Sequence, residues 1–473
     1  MGSFKAALTL QTLAAATAAA TAVSYAVPTS VGSSGYTFAA VDPEPVGISF
    51  EFFAFPSYFT NVTATMQCLA NWQALSGTWP PIRIGGTTQD RATYDPTTSA
   101  YVVYTVASAA DAPTTLTYGP KFLTLAGTYD GTVVVGLNRQ LGNLTNTILA
   151  AKEAVAGIDT LLALELGNEP DYWGLTAAAE FAQEDDWDIR VGSALGKTNI
   201  IQAGTWLSSV STWGAAELIA TENTTARSYV RTYAHHNYPG GTVQSLMAHT
   251  SVVSNVAGYD SDVAAAIAVG KPYVFGESNS ATGGGASGVS PTFGAALWTL
   301  DYSVRAVYAN ISRTYFHHGT VGNCQYCFWG RYDMGAPYYG ATAAVAFLAG
   351  ASHLTALDTG SSNYAAYATY DSAGKPLRVL LYNSDYFNGT GTRSSSTFTL
   401  SGLTATSVKA KRLTAANALS RQDQGSLPTW GGQTYTNGNC VVSGTETYET
   451  TTVSSNSATF TLQASEALVV YLQ

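Results

Sequence analysis

Between residues 45 and 349 the chain alternates eight short apolar runs of β type with Ala-rich helical stretches, and this alternation constrains its fold most. The runs are Gly47–Glu51, Ile82–Gly85, Val133–Leu137, Leu161–Leu166, Asn199–Ala203, Thr232–His236, Tyr273–Gly276 and Thr314–His317. Helical stretches such as Leu144–Ala156, Asp260–Val269 and Thr292–Asn310 lie between them. In the last, Phe293, Ala296, Leu297, Leu300, Val304 and Val307 recur at helical spacing, the pattern of a helix packed against a sheet. Eight strand–helix units over roughly 300 residues fit the arithmetic of a (β/α)8 TIM barrel, an α/β fold.

After Ala351 the pattern changes. Tyr364–Tyr370, Leu377–Asn383, Ser396–Leu400, Ser407–Arg412 and Ala467–Leu472 are short β-type runs separated by turn residues, and Asp371-Ser-Ala-Gly374 reads as a hairpin turn. Residues 350–473 are therefore expected to form a C-terminal antiparallel β-sandwich domain. The β-prone stretch Ser34–Val41 precedes the barrel, so residues 27–44 are expected to pair with that domain.

Residues 1–26 read as a signal peptide: a single basic residue, Lys5, a largely apolar run from Ala6 to Val23, and small Ser24 and Ala26 before the expected cleavage point. Five N-x-[ST] sequons, at Asn61, Asn143, Asn223, Asn310 and Asn388, fit export through a glycosylating compartment. The expected location is extracellular. No other stretch approaches the roughly 20 apolar residues of a membrane span, so no membrane partner is expected. In an oxidising compartment Cys68, Cys324, Cys327 and Cys440 are expected to form one or two disulfides, with connectivity open. With 21 basic against 31 acidic residues and only 11% charged, the chain lacks the basic clusters of a nucleic-acid binder.

In such a barrel, chemistry sits at the C-terminal ends of the strands. The fourth run ends in Leu166-Gly-Asn-Glu-Pro170 and the seventh in Phe275-Gly-Glu-Ser278, placing Glu169 and Glu277 at one mouth. Two carboxylates facing one pocket is the arrangement of glycoside hydrolysis, in which one is protonated and the other ionised. The histidine doublets His235-His236 and His317-His318 end the sixth and eighth runs. Adjacent side chains on a strand face opposite ways, so one of each pair at most reaches the pocket, too few for a zinc site. No metal and no cofactor is expected. Gly283-Gly-Gly285 lacks the lysine of a phosphate loop and reads as a rim loop.

Asn168-Glu169-Pro170 after strand four, with a glutamate ending strand seven, resembles the clan A retaining glycoside hydrolases. More narrowly, Leu164-Glu-Leu-Gly-Asn-Glu-Pro170, Arg83-Ile-Gly-Gly-Thr87, Gly136-Leu-Asn138, His235-His-Asn-Tyr238 and Gly276-Glu-Ser-Asn-Ser280 resemble glycoside hydrolase family 79, in its secreted microbial β-glucuronidase branch. The resemblance implies that Glu169 is the general acid/base and Glu277 the nucleophile. It implies a secreted, retaining exo-β-glucuronidase acting on a carbohydrate substrate. Another clan A β-glycosidase (β-glucosidase, β-galactosidase or a heparanase-type endo-β-glucuronidase) stays open, as does a carbohydrate-binding protein without turnover. The absence of a Lys/Arg cluster argues against a highly sulfated polymer.

Supporting residues carry two readings each. Arg83 either holds Glu277 ionised or pairs with Glu165 inside the barrel. Asn168 either bonds the sugar 2-hydroxyl or caps the strand-four loop. Tyr238 either orients Glu277 or is a rim aromatic. Glu51 and Asn138, after strands one and three, are candidates for sugar hydroxyls. Arg331 and Tyr332, just past strand eight, either bind a substrate carboxylate or belong to a solvated loop.

Overall fold

The computed structural model describes residues 21–473. A closed parallel barrel stands at its centre, built from β1 (Val46–Glu51), β2 (Ile82–Gly85), β3 (Val133–Leu137), β4 (Leu161–Leu166), β5 (Ile201–Trp206), β6 (Val230–Asn237), β7 (Tyr273–Ser278) and β8 (Ile311–His318). Each strand pairs in parallel with its neighbour in sequence, and β8 closes the ring on β1 from Thr314–Val46 to His318–Phe50. Helices cover the outside, so the strands are buried on both faces, which is why they read as continuous apolar runs.

The eight runs expected from sequence all become barrel strands. The fifth is shifted, beginning at Ile201 rather than Asn199 and continuing to Trp206. Gly204 (φ 101°) and Thr205 (φ 80°) look like a strand end, yet they are a distortion within it. β7 also runs further than expected and carries Glu277 inside the strand. A small sheet of Ala92–Tyr94, Val102–Tyr104 and Leu116–Tyr118 fills the connection after β2, which the apolar pattern did not reveal. Among the described residues no helix is long and apolar enough to cross a membrane.

The C-terminal domain is a sandwich. One sheet contains β9 (His353–Ala356), β10 (Tyr364–Tyr370), β11 (Pro376–Asn383), β13 (Ser407–Thr414) and β15 (Glu466–Tyr471). The other contains β12 (Ser395–Ser401), β14 (Ser457–Gln463) and the strand Thr21–Ala26. Alternate residues of β10 and β11 serve two cores. Ala366, Ala368, Val379 and Leu381 pack against Phe398, Leu400 and Phe460 of the facing sheet. Ala365, Tyr367, Leu380 and Tyr382 join the barrel's core instead. Being buried on both faces, these strands lack the polar alternation of an exposed sheet.

Within residues 27–44, Ala39–Ala40 pair with β9. The last six residues of the expected leader, Thr21–Ala26, form a strand. Thr21–Ala26 pair with Ser396–Ser401 along their whole length, so cleavage after Ala26 would strip an edge from the sandwich. Residues 1–20 lie outside the described residues. The cysteines form two disulfides, Cys68–Cys440 between barrel and sandwich and Cys324–Cys327 within the β8 loop. All five sequon asparagines are exposed.

Candidate active site

Glu169 owes its position to backbone strain. Beyond β4, Gly167 (φ 92°) and Glu169 itself (φ 48°, ψ 55°) are left-handed, and Pro170 starts a single 3-10 turn. A non-glycine residue held there costs about 1–3 kcal/mol. The distorted end of neighbouring β5 holds the turn: Glu169 N–H donates to the Thr205 carbonyl (3.0 Å), and the Thr205 hydroxyl donates to that of Gly167 (3.2 Å). Asp90 ties the same loop to its neighbours, accepting from the N–H groups of Asn168 (2.6 Å) and Arg139 (3.0 Å).

Glu277 is buried and fully engaged. Its Oε1 accepts from the Tyr238 hydroxyl (2.5 Å) and its Oε2 from Arg83 Nη1 (2.5 Å), with His317 Nδ1 at 3.4 Å. Burial alone would raise its pKa. His317, Arg83 and the Tyr238 hydroxyl outweigh burial and hold the carboxyl well below the usual carboxylate range. Glu169 moves the opposite way: burial, then the charges of Glu277 and Asp171, push it up to about 8. An oxygen of Glu169 and one of Glu277 lie within 4.8 Å of each other. At neutral pH one carboxyl is protonated and the other ionised.

Arg83 contacts both Glu277 and Glu165. Its guanidinium is fully buried, donates to Glu165 on one edge (Nη2–Oε1 2.5 Å) and reaches Glu277 and Ser49 through Nη1. A planar fork with five donors can do this where an ammonium cannot. The glycines of Arg83-Ile-Gly-Gly-Thr87 have a physical cause. A Cβ at Gly85 would lie 2.8 Å from the Arg83 guanidinium carbon, and one at Gly86 (φ 103°) would lie 2.7 Å from Glu51 Oε2.

A cavity of about 310 Å³ opens over these groups, lined by Glu51, Glu169, Tyr238, Glu277, His317 and Tyr326 among others. Glu51 is fixed by Thr88, whose hydroxyl (2.5 Å) and N–H (2.9 Å) donate to Oε1. Asn168 gives its amide oxygen to Arg83 Nη2 (2.9 Å). His236 Nδ1 lies 3.0 Å from Glu169 Oε1, and burial lowers its pKa to about 4, leaving the ring neutral. Its neighbour His235 turns away and packs on Tyr259; His318 likewise packs on Trp329.

Three expected residues sit elsewhere. Asn138 spends its amide on the backbone of Ala92 and Leu141, and does not line the cavity. Arg331 and Tyr332 are exposed and line an adjacent cavity, because the β8 loop carries them past the pocket. The sequence reading missed Arg91, Leu207, Asn323 and Tyr326, which line the cavity. Tyr326 lies between Cys324 and Cys327, which a disulfide joins. Gly283 and Gly284 of the expected rim loop also line it. Donor atoms of Glu169, His236 and Glu277 lie close enough together for a cation. Arg83 already supplies Glu277 with a positive charge at contact distance, which disfavours a second cation there.

A model of the glycosyl hydrolase family 79 C-terminal beta domain matches residues 366–469. A β-glucuronidase of Aspergillus niger is 32% identical over 407 residues, covering 74% of this chain and 73% of its own length. A Neurospora crassa β-glucuronidase is 30% identical over 417 residues, covering 73% and 72%. Among solved structures, a 4-O-α-L-rhamnosyl-β-D-glucuronidase of Fusarium oxysporum 12S, in complex with Rha-GlcA, is 52% identical. It superposes with a TM-score of 0.92, over 95% of this chain and 100% of that one.

Proposed function

The chain belongs to glycoside hydrolase family 79, and from that premise we propose that it is a retaining exo-β-glucuronidase, with Glu169 as general acid/base and Glu277 as nucleophile. The observation that carries the mechanism is the pair of carboxyls with oppositely displaced pKa values, oxygens within 4.8 Å. Retaining enzymes hold their carboxyl groups about 5–5.5 Å apart, and inverting ones about 6.5–9.5 Å to admit a water between them.

The reaction runs in two steps. Glu277, ionised and aimed by Tyr238 and Arg83, attacks the anomeric carbon while Glu169 protonates the departing oxygen. Glu169, now ionised, takes a proton from water, which displaces Glu277 and restores the β configuration. The neutral His236 beside Glu169 adds no positive charge that would drain its proton. Asn168, its amide oxygen held by Arg83, turns its NH2 group to the sugar 2-hydroxyl. On a pyranose ring C2 and C5 flank the reacting end on opposite edges. With the 2-hydroxyl toward the β4 loop, the C5 carboxylate faces the loops after β7 and β8. Tyr326, Asn323, Gly283 and Gly284 line that side and take the place of Arg331 and Tyr332 as its proposed partners.

The 52% identity to the Fusarium enzyme supports a second reading of the substrate, in which the glucuronic acid enters carrying a rhamnosyl group at O4. Secretion, after a leader ending before Thr21, and glycosylation at the exposed sequons belong to the same proposal. Hydrolysis of an aryl β-glucuronide beside the matching β-glucoside and β-galactoside tests the glucuronide reading. A strong preference for the glucuronide is expected; preference for a neutral sugar overturns it.

A further inference from the structure

A second cavity, of about 520 Å³, adjoins the catalytic pocket at the junction of barrel and sandwich. The two share their walls. Thr320 lines both; Ala110 and Ala112 face the catalytic pocket, while Ala109 and Asp111 face the second. On the β8 loop Asn323 lines the first, and Gly322 and Cys324 the second. The Cys324–Cys327 disulfide pins that loop, and Asn437 of the sandwich accepts from Met334 N–H behind it (3.0 Å).

We propose that this second cavity is a subsite for a neutral sugar linked to O4 of the glucuronic acid, so that the enzyme releases a disaccharide. The inference rests on the β-glucuronidase reading and gives the O4 substituent a place in this chain. Barrel geometry decides the direction. Glu169, after β4, must face the glycosidic oxygen, so the aglycone leaves on the β4–β5 side, where Leu207 lines the pocket. In a ring of eight strands, β8 stands across from β4. In a pyranose, C4 stands across from C1. A substituent on O4 therefore leaves the pocket over β8 and β1. The second cavity lies there: Phe53 and Ala54 follow β1, and Thr320 to Gly335 follow β8.

Its chemistry fits a neutral sugar. Tyr104 and Val106, with the edge of Phe53, offer apolar surface to a pyranose face or a deoxy-sugar methyl. Two Arg and three Asp side chains also line it, and the Arg421–Asp423 ion pair is already closed (2.5 Å). The remaining balance of Arg331 against Asp111 and Asp333 offers donors and acceptors to hydroxyls and no excess positive charge to an anion. Its volume is within the range of ligand pockets, which favour such domain junctions.

The test compares kcat/KM for an aryl β-glucuronide and the same glycoside bearing 4-O-α-L-rhamnose, on the wild type, Val106→Trp and Tyr332→Ala. Val106 and Tyr332 line only the second cavity, so neither substitution touches the catalytic pocket. The expected result is release of intact disaccharide, a loss of at least about tenfold in Val106→Trp on the substituted substrate, and less than about twofold on the unsubstituted one. Tyr332→Ala, at a residue 74% exposed, is expected to show the same selective loss without risk to folding. Equal effects on both substrates, or a wild type that cleaves only the unsubstituted glucuronide, overturn the subsite and leave the glucuronidase reading standing. A wild type that cleaves neither glucuronide but does cleave the matching glucoside overturns both.

Discussion

Replacing Tyr238 by Phe removes one hydroxyl and tests how the nucleophile is held. That hydroxyl donates to Glu277 Oε1 at 2.5 Å, while Oε2 keeps Arg83 at 2.5 Å and His317 at 3.4 Å. A hydrogen bond to a charged group contributes about 1.5–3 kcal/mol. At 1.36 kcal/mol per unit, its loss raises the Glu277 pKa by about 1–2 units. The sign follows from what the donor binds: it stabilises the ionised form, so removing it favours the protonated form. Glu277 starts well below the ordinary range, so the variant's carboxyl stays ionised at pH 7 and loses function only in acid. The assay is kcat/KM for an aryl β-glucuronide across pH. The acid limb is expected to rise by about 1–2 pH units, and the alkaline limb, set by Glu169 at about 8, to stay in place. An acid limb that does not move, with activity reduced equally at every pH, would refute the claim that Tyr238 tunes the ionisation of Glu277.

Three further outcomes are expected. Glu169→Gln lowers kcat/KM for a poor leaving group by about 10²–10⁴-fold and abolishes the alkaline limb near pH 8; a limb that persists would assign it to another group. His249 bridges Asp301 of the barrel (2.7 Å) and Asp358 of the sandwich (3.1 Å), and despite burial these carboxylates raise its pKa to about 10. Its contribution to stability is therefore full below pH 6.5 and lost as pH rises through about 10. His249→Leu, which strands two buried carboxylates, should cost about 3–5 kcal/mol in denaturant unfolding at pH 6 and flatten that alkaline decline. The proposed secretion is tested by N-terminal sequencing of protein from the culture medium, which should find a start at or before Thr21; a start at Val27 would mean that the first strand of the sandwich is dispensable.

What the sequence revealed was set by periodicity and by strand ends. Barrel strands buried on both faces announce themselves as apolar runs, and β2, β3 and β4 fall at the residues expected. Glu169 and Glu277 were legible because a barrel delivers the residues at its strand ends to one mouth. The loops were not. Arg331 and Tyr332 follow β8 as closely as an active-site pair should, but the path of the loop, pinned by Cys324–Cys327 and by Asn437, carries them into the second cavity. Tyr326 enters the pocket for the same reason. Asn138 was displaced by local demand, since its amide closes the turn after β3. The strand Thr21–Ala26 was hidden because its small and apolar residues fit both a leader and a strand edge, and its pairing with β12 is long-range.

The proposed reaction is a two-step displacement through Glu277. Proton NMR during hydrolysis of an aryl β-glucuronide reads it directly from the anomeric signal of the first sugar released. The β anomer should appear first and mutarotate slowly to the mixture, as two successive inversions at the anomeric carbon require. If the α anomer appears first, the displacement is single and Glu277 is not a nucleophile.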